Sequence, residues 1–333
     1  MLFFITLISG TTITISAYSW LGMWMGLEIN LLSFIPLMHK SNNLMSVEST
    51  TKYFIVQALA SSVILMAILM MMVKSQMSTI MNKSVYIMMM NSALMTKMGA
   101  APFHFWFPEV MEGLSWMNCL SLSTWQKIAP MVLIMYTMNS MLFMSTIIIS
   151  SMIISALMGL NQVSLRKIMA YSSINHLGWM LGALMFMETT WMYYFLVYSI
   201  INTAMMTTFS KMNVSSITQL TQKLNLFSMN KKMFMLNFLN LSGVPPFLGF
   251  YPKWLTIQLM IKNNFILLST LMIMLTLITI FMYFRIISAS LVNKSQEISW
   301  KSSEKMNKSV ITALVNFGSL MSLVICTLMY TWA

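Results

Sequence analysis

The chain has 333 residues, 58% of them hydrophobic and 8% charged, with a mean hydropathy of +0.76. Soluble domains carry about a quarter charged residues, so this composition excludes them and describes a polytopic membrane protein. Nineteen Lys/Arg against seven Glu leave a net charge of +12, but the basic residues sit mostly in short segments between apolar spans, so they report topology and not nucleic-acid binding.

A bilayer core of about 30 Å takes roughly 20 apolar residues per helix. On that measure the predicted spans are 2–19, 21–38, 53–73, 84–112, 118–138, 141–160, 168–186, 191–210, 233–261, 264–289 and 309–331. The first begins "MLFFITLISG" with no basic segment before it, so it reads as a span and not as a signal or transit peptide. The fourth and ninth are too long for one simple helix, and each carries Gly and Pro near its middle. Alternating the spans puts twelve basic residues on the N-terminal side of the membrane and three, Lys74, Lys83 and Lys262, on the other. By the positive-inside rule the N-terminus then faces the cytoplasm-like side, the matrix in a mitochondrion, and the C-terminus faces the opposite side.

Cys119 and Cys326 both lie in apolar stretches and offer no disulfide framework, iron–sulfur site or zinc site. Any redox cofactor therefore belongs to another chain. The 43 methionines, with Ile, Asn and Lys also plentiful, fit a genetic code that reads an extra A-rich codon as Met.

Four charges inside spans stand out, each costing a few kcal/mol: Glu28 in "WMGLEINLLSF", Lys97, Lys127 and Lys253. Arg285 lies near the end of its span and can snorkel. Three lysines against one central glutamate do not make neutralised structural pairs, so the set reads as a row of titratable sites. Desolvation disfavours a charged lysine and a nearby carboxylate favours it, so moving the partner loads or unloads a proton. Ser123 and Thr124 before Lys127, Ser172 and Ser173 before His176, and Gln57 with Ser61 mark polar helix faces. His176 is a candidate relay between such helices.

"GAAPFHFWFP" (99–108) and "GVPPFLGFYP" (243–252) share the pattern G-x-x-P-F-x-x-x-x-P at a constant offset of 144. They lie in the fourth and ninth spans, five apart, so the copies cross the membrane in opposite directions. Paired broken helices in an inverted repeat point to a midplane transport site. Backbone groups freed by Gly and Pro are tolerable there only where protein or water satisfies them. Lys97 precedes the first break and Lys253 follows the second motif.

The stretches "WMGLEINLLSFIP", "KMGAAPFHFWFPEVMEGLSW", "TWQKIAP", "AYSSINHLGWM" and "GVPPFLGFYPKW" resemble the chain 2 family of NADH–ubiquinone oxidoreductase encoded in mitochondrial DNA, and the resemblance covers essentially the whole chain. It implies an all-α, multi-pass subunit of the inner-membrane arm of respiratory complex I, with about eleven transmembrane helices. Two inverted five-helix repeats (1–138 and 141–289) would be followed by a polar loop (290–308) and a last helix (309–333). By the same resemblance Glu28 is the central acid, Lys97 the broken-helix lysine, Lys127 the middle lysine and Lys253 the outer lysine. His176 and His104 would connect the row to water. The implied partners are other membrane-arm and accessory subunits and membrane lipids. FMN, iron–sulfur clusters, NADH and ubiquinone would belong to other subunits. Two alternatives stay open: a cation/proton antiporter subunit of the same fold, and a non-pumping scaffold whose lysines only hold the bundle together.

Overall fold

Apolar periodicity and the two Gly–Pro interruptions translate directly into helices and breaks. A computed structural model describes residues 2–39, 43–74, 80–138, 140–226, 228–245 and 247–292. Lys40, Pro246, Cys326, the basic residues past 292 and the predicted span 309–331 lie outside the described residues. All regular structure among the described residues is helical, apart from one antiparallel bridge between Ser164 and Ser216. The chain divides into two compact units, Met1–Ser151 and Met152–Ala333.

The first unit holds α1 (Leu2–Ser16), α2 (Trp20–Met38), α3 (Leu44–Lys74), α4 (Ile80–Met98), α5 (Trp106–Gly113), α6 (Trp116–Ser123), α7 (Trp125–Tyr136) and the start of α8 (Met141–Leu160). Ser19 caps α2, its Oγ accepting from the Gly22 N–H at 3.2 Å, which fixes the turn after α1. Helices α1 and α2 then cross closely at two glycines: a Cβ on Gly26 would stand 2.5 Å from Thr14 Cγ2, and one on Gly10 2.9 Å from Asn30 N. Side-chain amides tie α6 and α7 to α2. Asn118 of α6 donates to Leu37 O at 2.8 Å, and Gln126 of α7 donates to Asn30 Oδ1 at 3.0 Å.

The second unit completes α8 and adds α9 (Leu165–Leu184), α10 (Glu188–Met212), α11 (Ile217–Leu226), α12 (Ser228–Ser242), α13 (Phe250–Lys262) and α14 (Ile266–Val292). Eighteen of the twenty residues of α9 are buried, which makes it the inner helix of this unit. The exceptions are Arg166 and Lys167, at its start.

Three features depart from the predicted spans. Helix α3 starts at Leu44, not 53, because Glu48 and Lys52 form an i,i+4 ion pair at 2.8 Å that extends the helix beyond its apolar part. The predicted span 118–138 is two helices, parted at Thr124, whose φ of −113° and ψ of −71° leave helical geometry. The segment after 210 carries the short helix α11, which buries Leu220 and Leu224. By length and apolarity, Trp20–Met38, Leu44–Val73, Met141–Leu160 and Ile266–Leu291 each suffice to cross a membrane.

Candidate functional site: buried charges beside two broken helices

Both motif copies end a helix in the same way. In the first unit Gly99 has φ +73°, with Ala100 N donating to Met95 O at 3.0 Å and Gly99 N to Thr96 O at 3.2 Å. In the second unit Gly243 has φ +72°, with Val244 N donating to Leu239 O at 3.5 Å and Gly243 N to Asn240 O at 3.1 Å. Each is a Schellman termination, which needs a residue in the left-handed region just past the helix end. Glycine meets that need without strain. The last carbonyls of each broken helix make its end electronegative, and a lysine ammonium is the natural partner for such an end.

Lys97 sits in the last turn of α4 and is 7% exposed. The carbonyls around it are taken up by neighbours. Gln57 Nε2 of α3 donates to Lys97 O at 3.3 Å, and Trp106 Nε1, at the start of α5, donates to Thr96 O at 3.0 Å. A cavity of about 10 Å³, on the order of one water, opens beside the lysine between Asn30, Tyr53, Gln57, Gln126 and Pro130. Glu28 lies half-buried on α2, near enough for its charge to act on Lys97. Among the described residues the two form no ion pair within 4.0 Å.

Lys127 is 1% exposed on α7, with its Nζ 5.5 Å from the centroid of the Phe107 ring. That ring belongs to α5, the half-helix after the first break, and attracts the ammonium through its quadrupole. The break at Thr124 and Pro130 inside α7 bracket the lysine. Pro130 has no N–H to bond the Gln126 carbonyl. The hydroxyls of Ser123 and Thr124 turn back to Leu120 O.

In the second unit Lys253, 6% exposed, follows the break, yet its side chain folds back so that Nζ donates to Ser242 O at 2.8 Å. Lys253 therefore places its charge at the carbonyl end of α12 from after the break, whereas Lys97 stands in the last turn before the first break and lines the cavity. The fold-back requires glycines. A Cβ on Gly243 would meet Lys253 Nζ at 2.9 Å, and one on Gly249 would meet Asn240 O at 1.9 Å. Asn240 Oδ1 also accepts from Gly249 N at 2.8 Å, which closes the loop between α12 and α13.

Lys253 Nζ also lies 5.8 Å from the Trp179 ring of α9. One turn earlier on α9, His176 Nδ1 is 2.9 Å from the Tyr194 hydroxyl of α10, with the Tyr198 ring 5.0 Å away. On the same helices Asn175 Oδ1, Trp179 Nε1 and Asn202 Nδ2 are buried without a protein partner, a pattern that buried water satisfies. His104 is in the first break loop, its Nδ1 3.3 Å from Pro102 O and its ring against Phe105. The structure thus places Glu28, Lys97 and Lys127 in the first unit, on helices tied together around the cavity and the first break. Lys253 and His176 lie in the second unit, one α9 turn apart through Trp179. The sequence reading did not single out Trp106, Asn30, Gln126, Trp179, Tyr194 or Tyr198. For Tyr194, 18 residues from His176 along the chain, no local pattern reveals the pairing. Among the described residues no three His, Cys, Asp or Glu side chains gather as a metal site.

The transmembrane family described as NADH:quinone oxidoreductase/Mrp antiporter matches residues 17–279. NADH-ubiquinone oxidoreductase chain 2 of Aedes aegypti is 50% identical, covering 99% of this chain and 97% of that one, and its counterpart in Anopheles gambiae is 48% identical over the same shares. The chain belongs to the NADH-ubiquinone oxidoreductase chain 2 family. Likeness to more distant members of the wider family is one of fold. A chain of respiratory complex I from Thermus thermophilus superposes with a TM-score of 0.79 at 22% identity, covering 87% of this chain and 70% of that one. A chain of the Mrp complex from Dietzia sp. gives 0.74 at 15% identity, covering 86% and 59%. The matched residues 17–279 include Lys97, Lys127, Lys253 and both helix breaks.

Proposed function

We propose that this chain is a proton-translocating membrane subunit of the NADH–ubiquinone oxidoreductase of the mitochondrial inner membrane. It would carry no redox centre, with the electron carriers held by other subunits. The N-terminus would lie on the matrix side, as the twelve-to-three division of basic residues supports.

The observation that carries the reading is that Lys97 and Lys253 are both buried beside the end of a broken helix, Lys253 with its ammonium on the last carbonyl of α12. A carbonyl end holds a lysine charged without a fixed counter-ion, so the proton is retained but not locked in a salt bridge. Displacing either half of the helix withdraws the carbonyls and releases the proton. Glu28, near Lys97 but not clasped to it, is the movable partner for the first site. Lys127, against an aromatic face, is the intermediate site, and the unpartnered amide and indole atoms around His176 support water on the route within the second unit. Each proton moved against 100 mV costs about 2.3 kcal/mol, so conformational change driven elsewhere in the complex has to set the order of release.

The likeness to the Mrp complex favours a second reading, a cation/proton antiporter subunit. One experiment separates them. Solubilised membranes are run on a native gel and the chain is located by mass spectrometry. Comigration with inhibitor-sensitive NADH:ubiquinone activity supports the first reading. Migration apart from that activity, with sodium-dependent proton flux, replaces it with the second.

A further inference from the structure

Helix α3 runs unbroken and antiparallel beside the whole of the first broken helix, and its contacts with it fall in order. Near its start, Met45 O would be 2.4 Å from a Cβ on Gly113, the last residue of α5. Next, Lys52 Nζ donates to Glu109 Oε2 of α5 at 2.8 Å. Tyr53 then packs its ring 5.8 Å from that of Trp106, where α5 begins. Last, Gln57 Nε2 reaches Lys97 O, on the far side of the break. Over about three and a half turns one continuous helix grips both halves of an interrupted one.

The residues on the gripped side explain why a splint is needed here. Glu109 follows the final proline of the first motif copy as Lys253 follows that of the second. In the second copy that residue is a lysine and turns inward to the carbonyl end of α12. A carboxylate cannot donate to carbonyls, so Glu109 turns outward and finds Lys52. The loop thus lacks the lysine clasp its counterpart has; besides the Trp106 Nε1–Thr96 O bond across the break, α5 is attached through α3.

We propose that Lys52 is a positioning residue for Lys97: its ion pair with Glu109 holds α5 in register on α3, and α3 holds the end of α4 through Gln57. Lys52 is also bonded to Glu48 at 2.8 Å, so when the pair with Glu109 opens, the ammonium keeps a partner on its own helix. The pair is half-exposed, with 41% of the Lys52 and 56% of the Glu109 side chain accessible. An exposed pair adds little to stability. Its effect is therefore on the register of the break and, through it, on coupling.

The inference rests on Lys97 being a proton site, and its test keeps the two apart. Lys97→Met, Lys52→Met, Glu109→Gln and the reversal Lys52→Glu with Glu109→Lys are compared in the assembled complex, reading protons translocated per NADH oxidised. Loss in all three single variants, with recovery in the reversal, is the expected result. If Lys97→Met keeps the full ratio, the proton-site reading fails. If Lys97→Met loses it while Lys52→Met and Glu109→Gln keep it, the positioning role alone is overturned. Should Lys52→Met fail to assemble, the reversal still decides: assembly with pumping supports the role, and assembly without pumping reduces Lys52 to a structural residue.

Discussion

Lys253 Nζ lies 2.8 Å from the carbonyl oxygen of Ser242, the last residue of α12, although eleven residues and a helix break separate them. The ammonium completes the helix end that the break leaves open. Removing it as Lys253→Met strands a buried acceptor, a cost of about 1–3 kcal/mol, and deletes the proposed proton site at once. The expected outcome is a complex with lower thermal stability and fewer protons per NADH, read by native-gel activity after heating and by proton uptake. Lys253→Arg is not expected to rescue it, because a guanidinium is larger than the ammonium that the missing Cβ of Gly243 admits.

Gly249→Ala should be worse for assembly than Gly243→Ala. The first puts a methyl 1.9 Å from Asn240 O, a backbone atom that cannot yield, and overpacking of this kind costs about 1–3 kcal/mol or more. The second places a non-glycine residue at φ +72°, at about 1–2 kcal/mol, against the flexible end of Lys253 and, less tightly, the Gly249 carbonyl at 3.0 Å. Quantifying assembled complex on native gels ranks the two.

Lys127→Met conserves volume and keeps contact with the Phe107 ring through sulfur. We expect normal assembly with proton translocation per NADH reduced. Full translocation in the assembled variant would favour the non-pumping scaffold instead.

Tyr194→Phe removes the 2.9 Å bond to His176 while keeping the ring in its packing. The loss is one buried hydrogen bond, about 1 kcal/mol, so assembly should persist. If His176 relays protons, translocation per NADH falls. An unchanged ratio assigns the His176–Tyr194 bond to packing alone.

The two breaks were legible because the backbone states its needs in residue types. Only glycine sits easily at φ near +73°, so Gly99 and Gly243 announce the Schellman ends. The break at Thr124 has no such mark, since its dihedrals remain open to any L-residue. The apolar count starts α3 nine residues late because it finds where lipid begins, whereas the helix continues through Glu48 and Lys52. Lys97, Lys127 and Lys253 stood out because charge in an apolar run is costly wherever it points. The partners of these residues were not legible. Gln57 reaches Lys97 across 40 residues and Gln126 reaches Asn30 across 96. Such pairs follow from helix packing, to which local pattern is blind.

Helix α9 draws a last consequence from its burial. Neither it nor α4, α7 or α13 is among the helices long and apolar enough to cross a membrane alone, and these four carry His176, Lys97, Lys127 and Lys253. A helix with this much polar character gains from entering the bilayer beside companions. For α9 these include α10, α13 and α14, which pack against it and shield Ser172, Asn175 and His176 from hydrocarbon. During synthesis, then, α9 would emerge well before α13 and α14 exist. Its stable seating waits for them, so the part of the second unit that holds His176 and Lys253 is the part completed last.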